Sequence, residues 1–228
     1  MKNYEAIVFD FDMTLADTAF VIVTLLNQVA EEFGYEAMAA EGALPVVGYG
    51  HEIMLSHVTG EKDPEKLHRM RDRYREVCRE RMPDMMVYFP DVPDSLRQLK
   101  EQGLLLGVLS QKPHAALTGS LEKYGLAQYI DVVTGCEDAP AHKPDPNGLL
   151  VSARAMGLDR KQILFIGDHL VDQETARAAG MDFSAMLRGT TKREDFDPGF
   201  VKRFYHTAGQ VAEEFVQAAD RKHIGSSF

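Results

Sequence analysis

The sequence predicts a doubly wound α/β fold with a parallel sheet and an inserted helical segment. Three observations carry this. Short apolar runs alternate with helix-patterned segments, the runs end in polar or acidic residues, and one long stretch after the first run holds no convincing strand. The first run is Tyr4 to Phe9, closed by the acidic pair Asp10 and Asp12. It reads as a buried parallel strand. Similar runs follow at Leu104 to Leu109, Ile130 to Val133, Ile163 to Ile166 and, less regularly, Phe183 to Leu187. Gly103, Gly125, Gly157 and Gly180 sit where helical patterns stop, and Pro93, Pro113 and Pro146 near helix starts. This is the rhythm of βαβ units.

The stretch from 16 to about 87 breaks that rhythm, so the expected organisation is a core of residues 1–15 and 88–228 with a helical insert over 16–87. Within the insert, Thr18 to Phe33 places Val21, Leu25, Val29 and Phe33 on one stripe, with Gly34 closing the helix. Leu67, Met70, Tyr74 and Val77 mark a second amphipathic helix. Its other face interleaves Arg69, Arg71, Arg73, Arg75, Arg79 and Arg81 with Asp72, Glu76 and Glu80. That face reads as solvated and laced by ion pairs, the other reading being a basic patch for an anionic partner.

Composition narrows the class of function. The chain has 228 residues, 45% hydrophobic and 26% charged, the balance of a globular protein with a real core. A formal net charge of -10 repels a polyanion, so nucleic acid is not an expected partner. No apolar stretch approaches the roughly 20 residues of a membrane-spanning helix, and the first residues lack the pattern of a secretory leader. A cytoplasmic protein is the expectation. Cys78 and Cys136 lie far apart without a CxxC or Cys/His cluster, which predicts two buried thiols and neither a disulfide nor a zinc site.

The residues with chemistry lie at strand ends, where parallel sheets bind ligands. Asp10 and Asp12, separated by a turn after Asp10, could do different jobs, and Asp168 and Asp172 follow Ile163 to Gly167 one helical turn apart. Four acidic groups side by side raise one another's pKa values unless a cation neutralises them, and an all-oxygen set suits Mg²⁺ better than zinc. Ser110 ends the run Leu104 to Leu109, and Lys143 in His142-Lys143-Pro144-Asp145-Pro146 precedes a helix. A hydroxyl, an ammonium and a divalent cation converging on one sheet edge describe a pocket for a phosphoryl group.

Taken in order, Asp10-Phe11-Asp12-Met13-Thr14-Leu15-Ala16-Asp17-Thr18, Ser110, Lys143 and Gly167-Asp168-His169-Leu170-Val171-Asp172 resemble the four motifs of the haloacid dehalogenase superfamily. The helical insert after the first motif resembles the cap of its phosphoglycolate phosphatase and β-phosphoglucomutase branch. The resemblance implies Asp10 as nucleophile, Asp12 as general acid/base, Ser110 and Lys143 as phosphoryl binders, and Mg²⁺ held by Asp10, Asp168 and the Asp12 backbone carbonyl, with Asp172 beside them. It implies a phosphatase of a small phosphorylated metabolite, with a phosphomutase as the alternative. A receiver domain is about half as long and lacks the second acid, and a non-catalytic binding module would have lost a reacting group.

Three positions depart from the family pattern. Met13 stands where glycine is usual, Gln111 where asparagine often follows the Ser/Thr, and His169 where a small hydroxyl residue is frequent. Gln111 joins Ser110 and Lys143 as an expected substrate-binding residue, Met13 is expected to narrow the pocket or to pack, and His169 to be exposed or to cap a helix, the other reading being that it tunes the metal site. In the insert, Tyr49 and His51 within Gly48-Tyr49-Gly50-His51 are candidates for substrate contact, the other reading being an ordinary turn. Oligomeric state is not legible.

Overall fold

The computed structural model describes residues 4–225, which divide into two compact units: residues 4–15 with 88–225, and residues 16–87. The elements in chain order are β1 (Ala6–Asp10), β2 (Ala16–Asp17), α1 (Ala19–Glu32), α2 (Ala40–Ala43), α3 (His51–Thr59), α4 (Pro64–Met85), β3 (Val87–Tyr88), α5 (Val92–Glu101), β4 (Leu105–Leu109), α6 (His114–Lys123), β5 (Val132–Thr134), α7 (Asn147–Met156), β6 (Ile163–Gly167), α8 (Leu170–Ala179), β7 (Asp182–Met186), β8 (Val201–Tyr205) and α9 (Ala208–Gly225).

The larger unit is built on a six-stranded sheet in the order β5-β4-β1-β6-β7-β8, every pairing parallel. Every residue of β1 and β6 is buried, as expected of strands covered on both faces. Alternation sorts their side chains. Ala6, Val8, Ile163, Phe165, Phe183 and Ala185 form one face, packed against Leu149 and Ala153 of α7 and Ala176 and Ala179 of α8. Ile7, Phe9, Leu106 and Val108 point the other way, also buried, where α5 contacts β4 and packs on α9. β1 lies at the sheet centre between β4 and β6, so the C-terminal ends of these three strands stand side by side.

The expected strands form, with small shifts: Ile130 ends a 3-10 turn, so its strand begins at Val132, and the last expected run spans Asp182–Met186. A sixth strand, β8, was not expected. It is an edge strand whose middle residues Lys202 and Arg203 are exposed, and that charge hides its apolar ends Val201 and Tyr205 from a search for continuous apolar runs. The expectation of a strandless insert is corrected too, since Ala16–Asp17 pairs with Val87–Tyr88 in a two-residue ladder. Both cysteines are half-buried instead of buried.

In the smaller unit, α1, α3 and α4 pack on one another. Val21, Leu25 and Val29 of α1 and Met70, Tyr74 and Val77 of α4 are buried as their spacing predicts, while Phe33 and Leu67 are half-buried. The α4 arginines do form ion pairs, both across helices and within α4: Arg73 reaches Glu32 of α1 at 2.6 Å, Arg71 reaches Glu52 of α3 at 2.6 Å, and Arg71 also pairs with the adjacent Asp72 at 2.8 Å. Only Arg73–Glu76, at 3.1 Å, follows the i,i+3 spacing on α4 itself. Among the described residues, no helix is long and apolar enough to cross a membrane.

Candidate active site

The site is assembled from four chain segments at the C-terminal edge of β1, β4 and β6. Asp10 is the last residue of β1 and is buried. Beyond it the chain turns tightly, with the Leu15 amide donating to the Phe11 carbonyl at 3.0 Å. Met13 sits in that turn with φ of +56°, the left-handed region that glycine enters without steric cost. Glycine would be the unstrained residue at this position, and Met13 holds the same conformation despite its Cβ. Its side chain is buried, as expected of a packing methionine.

Asp168 follows Gly167 at the end of β6, and its Oδ1 accepts from the Thr14 hydroxyl at 3.3 Å. His169 caps α8: its Nδ1 accepts from the Val171 amide at 3.2 Å, and its own amide donates to Asp172 Oδ2 at 3.1 Å. Of the two expectations for His169, capping holds and exposure does not, since it is buried. Burial also pushes its imidazole below the usual range. Gly167 is required here, because a Cβ on it would lie 2.5 Å from the Asp172 carboxyl carbon.

Lys143 ties the segments together. Its Nζ lies 2.5 Å from Oδ1 of Asp10 and 2.5 Å from Oδ1 of Asp172. Carboxylate oxygens of Asp10, Asp168 and Asp172 lie within 4.8 Å of one another, and all three residues are buried. Two of the three acids therefore share one ammonium. Burial pushes the Asp10 carboxyl up to about 7, against the pull of Lys143, with Asp172 and Asp12 adding to the rise. Burial also holds Asp168 well above the carboxylate range, with the charges of Asp10 and Asp172 acting the same way. For Lys143, burial works downward but the two carboxylates outweigh it and hold the ammonium protonated. An all-oxygen donor set with surplus negative charge fits a hard divalent cation.

Ser110 follows β4, is buried, and has its amide bound to the Thr134 carbonyl at 3.0 Å. Ser110, Gln111, Gly135, Cys136, His142 and Lys143 line one pocket, which brings together three of the residues expected to bind substrate. Asp12 stands apart from the acidic triad. Both its oxygens are held by Lys112 Nζ, at 2.6 and 2.7 Å, so its side chain is not gathered with the other expected metal ligands. Tyr49 and His51 belong to the smaller unit, where His51 opens α3 and packs edge-on against Tyr74 with ring centres 5.2 Å apart.

Sequence reasoning missed Lys112, Thr14 and Gly189, the last of which approaches Asp168 so closely that an added Cβ would collide with its carboxylate. Lys112 is two residues from Ser110, and that adjacency was the available signal. Gly189 has none, since it looks like any loop glycine.

The chain matches the family of haloacid dehalogenase-like hydrolases over residues 7–186. A phosphoglycolate phosphatase of Mesorhizobium japonicum is 28% identical over 220 residues, covering 93% of this chain and 97% of the relative. An N-acetylmuramic acid 6-phosphate phosphatase of Pseudomonas aeruginosa is 29% identical over 196 residues, covering 84% and 85%. Among solved structures, a haloacid dehalogenase-like hydrolase of Bacteroides fragilis superimposes with a TM-score of 0.85 at 33% identity, covering 91% of this chain and 99% of that one. The chain belongs to the haloacid dehalogenase-like hydrolase family, and within it to the phosphoric monoester hydrolases.

Proposed function

We propose that this protein hydrolyses a small phosphate monoester, of the phosphoglycolate or sugar phosphate kind, with Mg²⁺ as cofactor and Asp10 as nucleophile. The observation that carries the reading is the bridging of Asp10 and Asp172 by Lys143 inside a buried acidic triad, next to Ser110. Ser110 and Lys143 hold the phosphoryl oxygens. Asp10 attacks phosphorus to form an aspartyl-phosphate, while Asp12 gives a proton to the departing alcohol. In the second half Asp12 takes a proton from water as the water attacks the phosphoryl group, restoring Asp10. Mg²⁺, held by Asp10, Asp168 and the backbone carbonyl of Asp12 with Asp172 beside them, would supply charge neutralisation between the acidic groups and the phosphoryl oxygens. Residues 16–87 act as a cap that limits access of bulk water.

Hydrolysis is favoured over phosphoryl transfer between sugar hydroxyls by a feature of the insert. A mutase must grip a distal phosphate, yet residues 34–60 contain no arginine or lysine. The relatives named above act on phosphoglycolate and on N-acetylmuramic acid 6-phosphate, both small monoesters, which supports that substrate class here.

The test is turnover of p-nitrophenyl phosphate with Mg²⁺, by the native protein and by Asp10→Asn. The variant should lose more than about a thousandfold in kcat with its fold intact, because an amide does not attack phosphorus. Retained turnover in Asp10→Asn would remove Asp10 as nucleophile. β-Glucose 1-phosphate, with catalytic glucose 1,6-bisphosphate and phosphorus NMR, separates the alternatives: release of inorganic phosphate supports the hydrolase, and accumulation of glucose 6-phosphate supports the mutase.

A further inference from the structure

We propose that Lys112 is a positioning residue for Asp12, fixing its carboxylate by both oxygens in the orientation that proton transfer requires. The inference rests on the role given above to Asp12. Lys112 Nζ lies 2.6 Å from Oδ1 and 2.7 Å from Oδ2, across 100 residues of sequence. The pair bridges the loop after β1 and the loop after β4, so it registers the proposed acid/base against the proposed phosphoryl-binding Ser110.

The backbone of Lys112 is held by that same machinery. Its amide donates to the Ser110 hydroxyl at 3.2 Å, and its carbonyl accepts from the Cys136 amide at 2.9 Å. The ammonium also lies 5.9 Å from the centre of the Phe11 ring, in the chain segment that carries Asp12. Lys143 does not substitute for it, because that ammonium is committed to Asp10 and Asp172. The two lysines divide the work.

The need for a clamp follows from exposure. Asp10, Asp168 and Asp172 are all buried and have little room to turn, whereas the Asp12 side chain is 23% exposed. A half-solvated aspartate samples several rotamers in water, and only those aimed at the reacting oxygen transfer a proton. A cation engaging both oxygens removes that freedom. The Lys112 side chain, 15% exposed itself, is shielded enough for the pairing to persist in salt.

The test exploits leaving-group basicity. Phenyl phosphate and p-nitrophenyl phosphate present nearly the same shape, but phenolate is the more basic leaving group and depends more on a proton from Asp12. Lys112→Met should lower kcat/KM, which reports formation of the aspartyl-phosphate and departure of the leaving group, by about tenfold or more on phenyl phosphate, with a markedly smaller loss on p-nitrophenyl phosphate. Lys112→Arg, which keeps a cation, should recover most of the lost kcat/KM. Equal losses of kcat/KM on the two esters would overturn the proposal. Lys112→Gln repeats the measurement should the methionine variant fail to fold.

Asp12→Asn run in parallel separates the two readings. If it loses turnover selectively on phenyl phosphate and Lys112→Met does not, the clamp alone fails. If Asp12→Asn is fully active on both esters, Asp12 is not the acid/base and both readings fall.

Discussion

A Cβ built on Gly189 would lie 1.9 Å from Oδ2 of Asp168, closer than any non-bonded approach allows. The backbone after β7 thus closes one side of the acidic triad, and only a residue without a side chain fits. Gly189→Ala must displace either the loop or the buried Asp168, whose position is also tied to Thr14. It should lower kcat by about a hundredfold, as misplacement of a reacting group by about an ångström does. The matched control is Gly119→Ala in α6, where an added Cβ meets nothing within 4 Å. There the helix gains about 0.5–1 kcal/mol and activity is unchanged. Denaturant melts and p-nitrophenyl phosphate rates on both variants check this, and full activity in Gly189→Ala would contradict the steric argument.

The difference between those two glycines shows where sequence reading stops. The central strands were legible because burial on both faces leaves continuous apolar runs, and Asp10, Ser110 and Asp168 because each directly follows such a run. Lys143 was legible because prolines mark it off just before a helix. Lys112 was not, because a lysine in a polar loop looks the same whether it faces solvent or an aspartate 100 residues away. β8 was hidden for a related reason, its exposed edge replacing the apolar run with charge. Gly189 owes its importance wholly to tertiary proximity, which no local pattern encodes.

Met13 permits a test of backbone strain. At φ of +56° a residue with a Cβ is strained by about 1–2 kcal/mol, and the buried side chain offsets that by packing. Met13→Ala keeps the strain and loses the packing. Met13→Gly loses the packing but removes the strain, so the glycine variant should be the more stable of the two by about 1 kcal/mol, against the usual order. Urea unfolding of both variants measures the difference, and an alanine variant more stable than the glycine variant would show that the turn is unstrained.

The acidic triad makes stability depend on pH and on metal in a defined sense. Asp10 is raised from 3.8 to about 7, with burial the main cause, so between those values the folded state holds a proton that the unfolded state has released. Its contribution is therefore fully present below 3.8 and is lost as pH rises toward about 7, and Asp168 acts in the same direction. In EDTA, Asp10→Asn should remove part of the fall in melting temperature across that window. A divalent cation must displace those protons, so Mg²⁺ should raise the melting temperature more at about pH 8 than at about pH 5. Thermal melts with and without Mg²⁺ at the two pH values decide it. An equal shift at both, or none, would show that the triad is not the metal's binding site.

Arg188 and Asp91 carry a different kind of load. The Arg188 guanidinium is nearly buried, lies 2.5 Å from Asp91 Oδ1, donates to the His206 carbonyl at 3.0 Å and covers the Phe89 ring at 4.2 Å. Asp91 Oδ2 accepts from the amides of Ala208 at 2.7 Å and Gly209 at 3.2 Å, anchoring the start of α9. Removing either partner is not symmetrical. Asp91→Ala leaves a buried guanidinium without its counter-charge and two amides without an acceptor, whereas Arg188→Met leaves a carboxylate that keeps both amide bonds and is 29% exposed. The first should cost about 2–4 kcal/mol and the second clearly less, the partial exposure of Asp91 reducing both figures below those of a fully buried pair. Burial alone would raise the Asp91 carboxyl, but the hydrogen bond and charge of Arg188 outweigh it and hold it below 3.8. A depressed acid contributes stability above its unfolded value and loses it as pH falls through the folded one, so the gap between native protein and Asp91→Ala should narrow as pH drops below 3.8. Urea titrations of both variants at neutral pH, repeated for Asp91→Ala in acid, measure the order and the slope. A more damaging Arg188→Met, or a gap that widens in acid, would mean that the pair does not hold the N-terminus of α9 in this way.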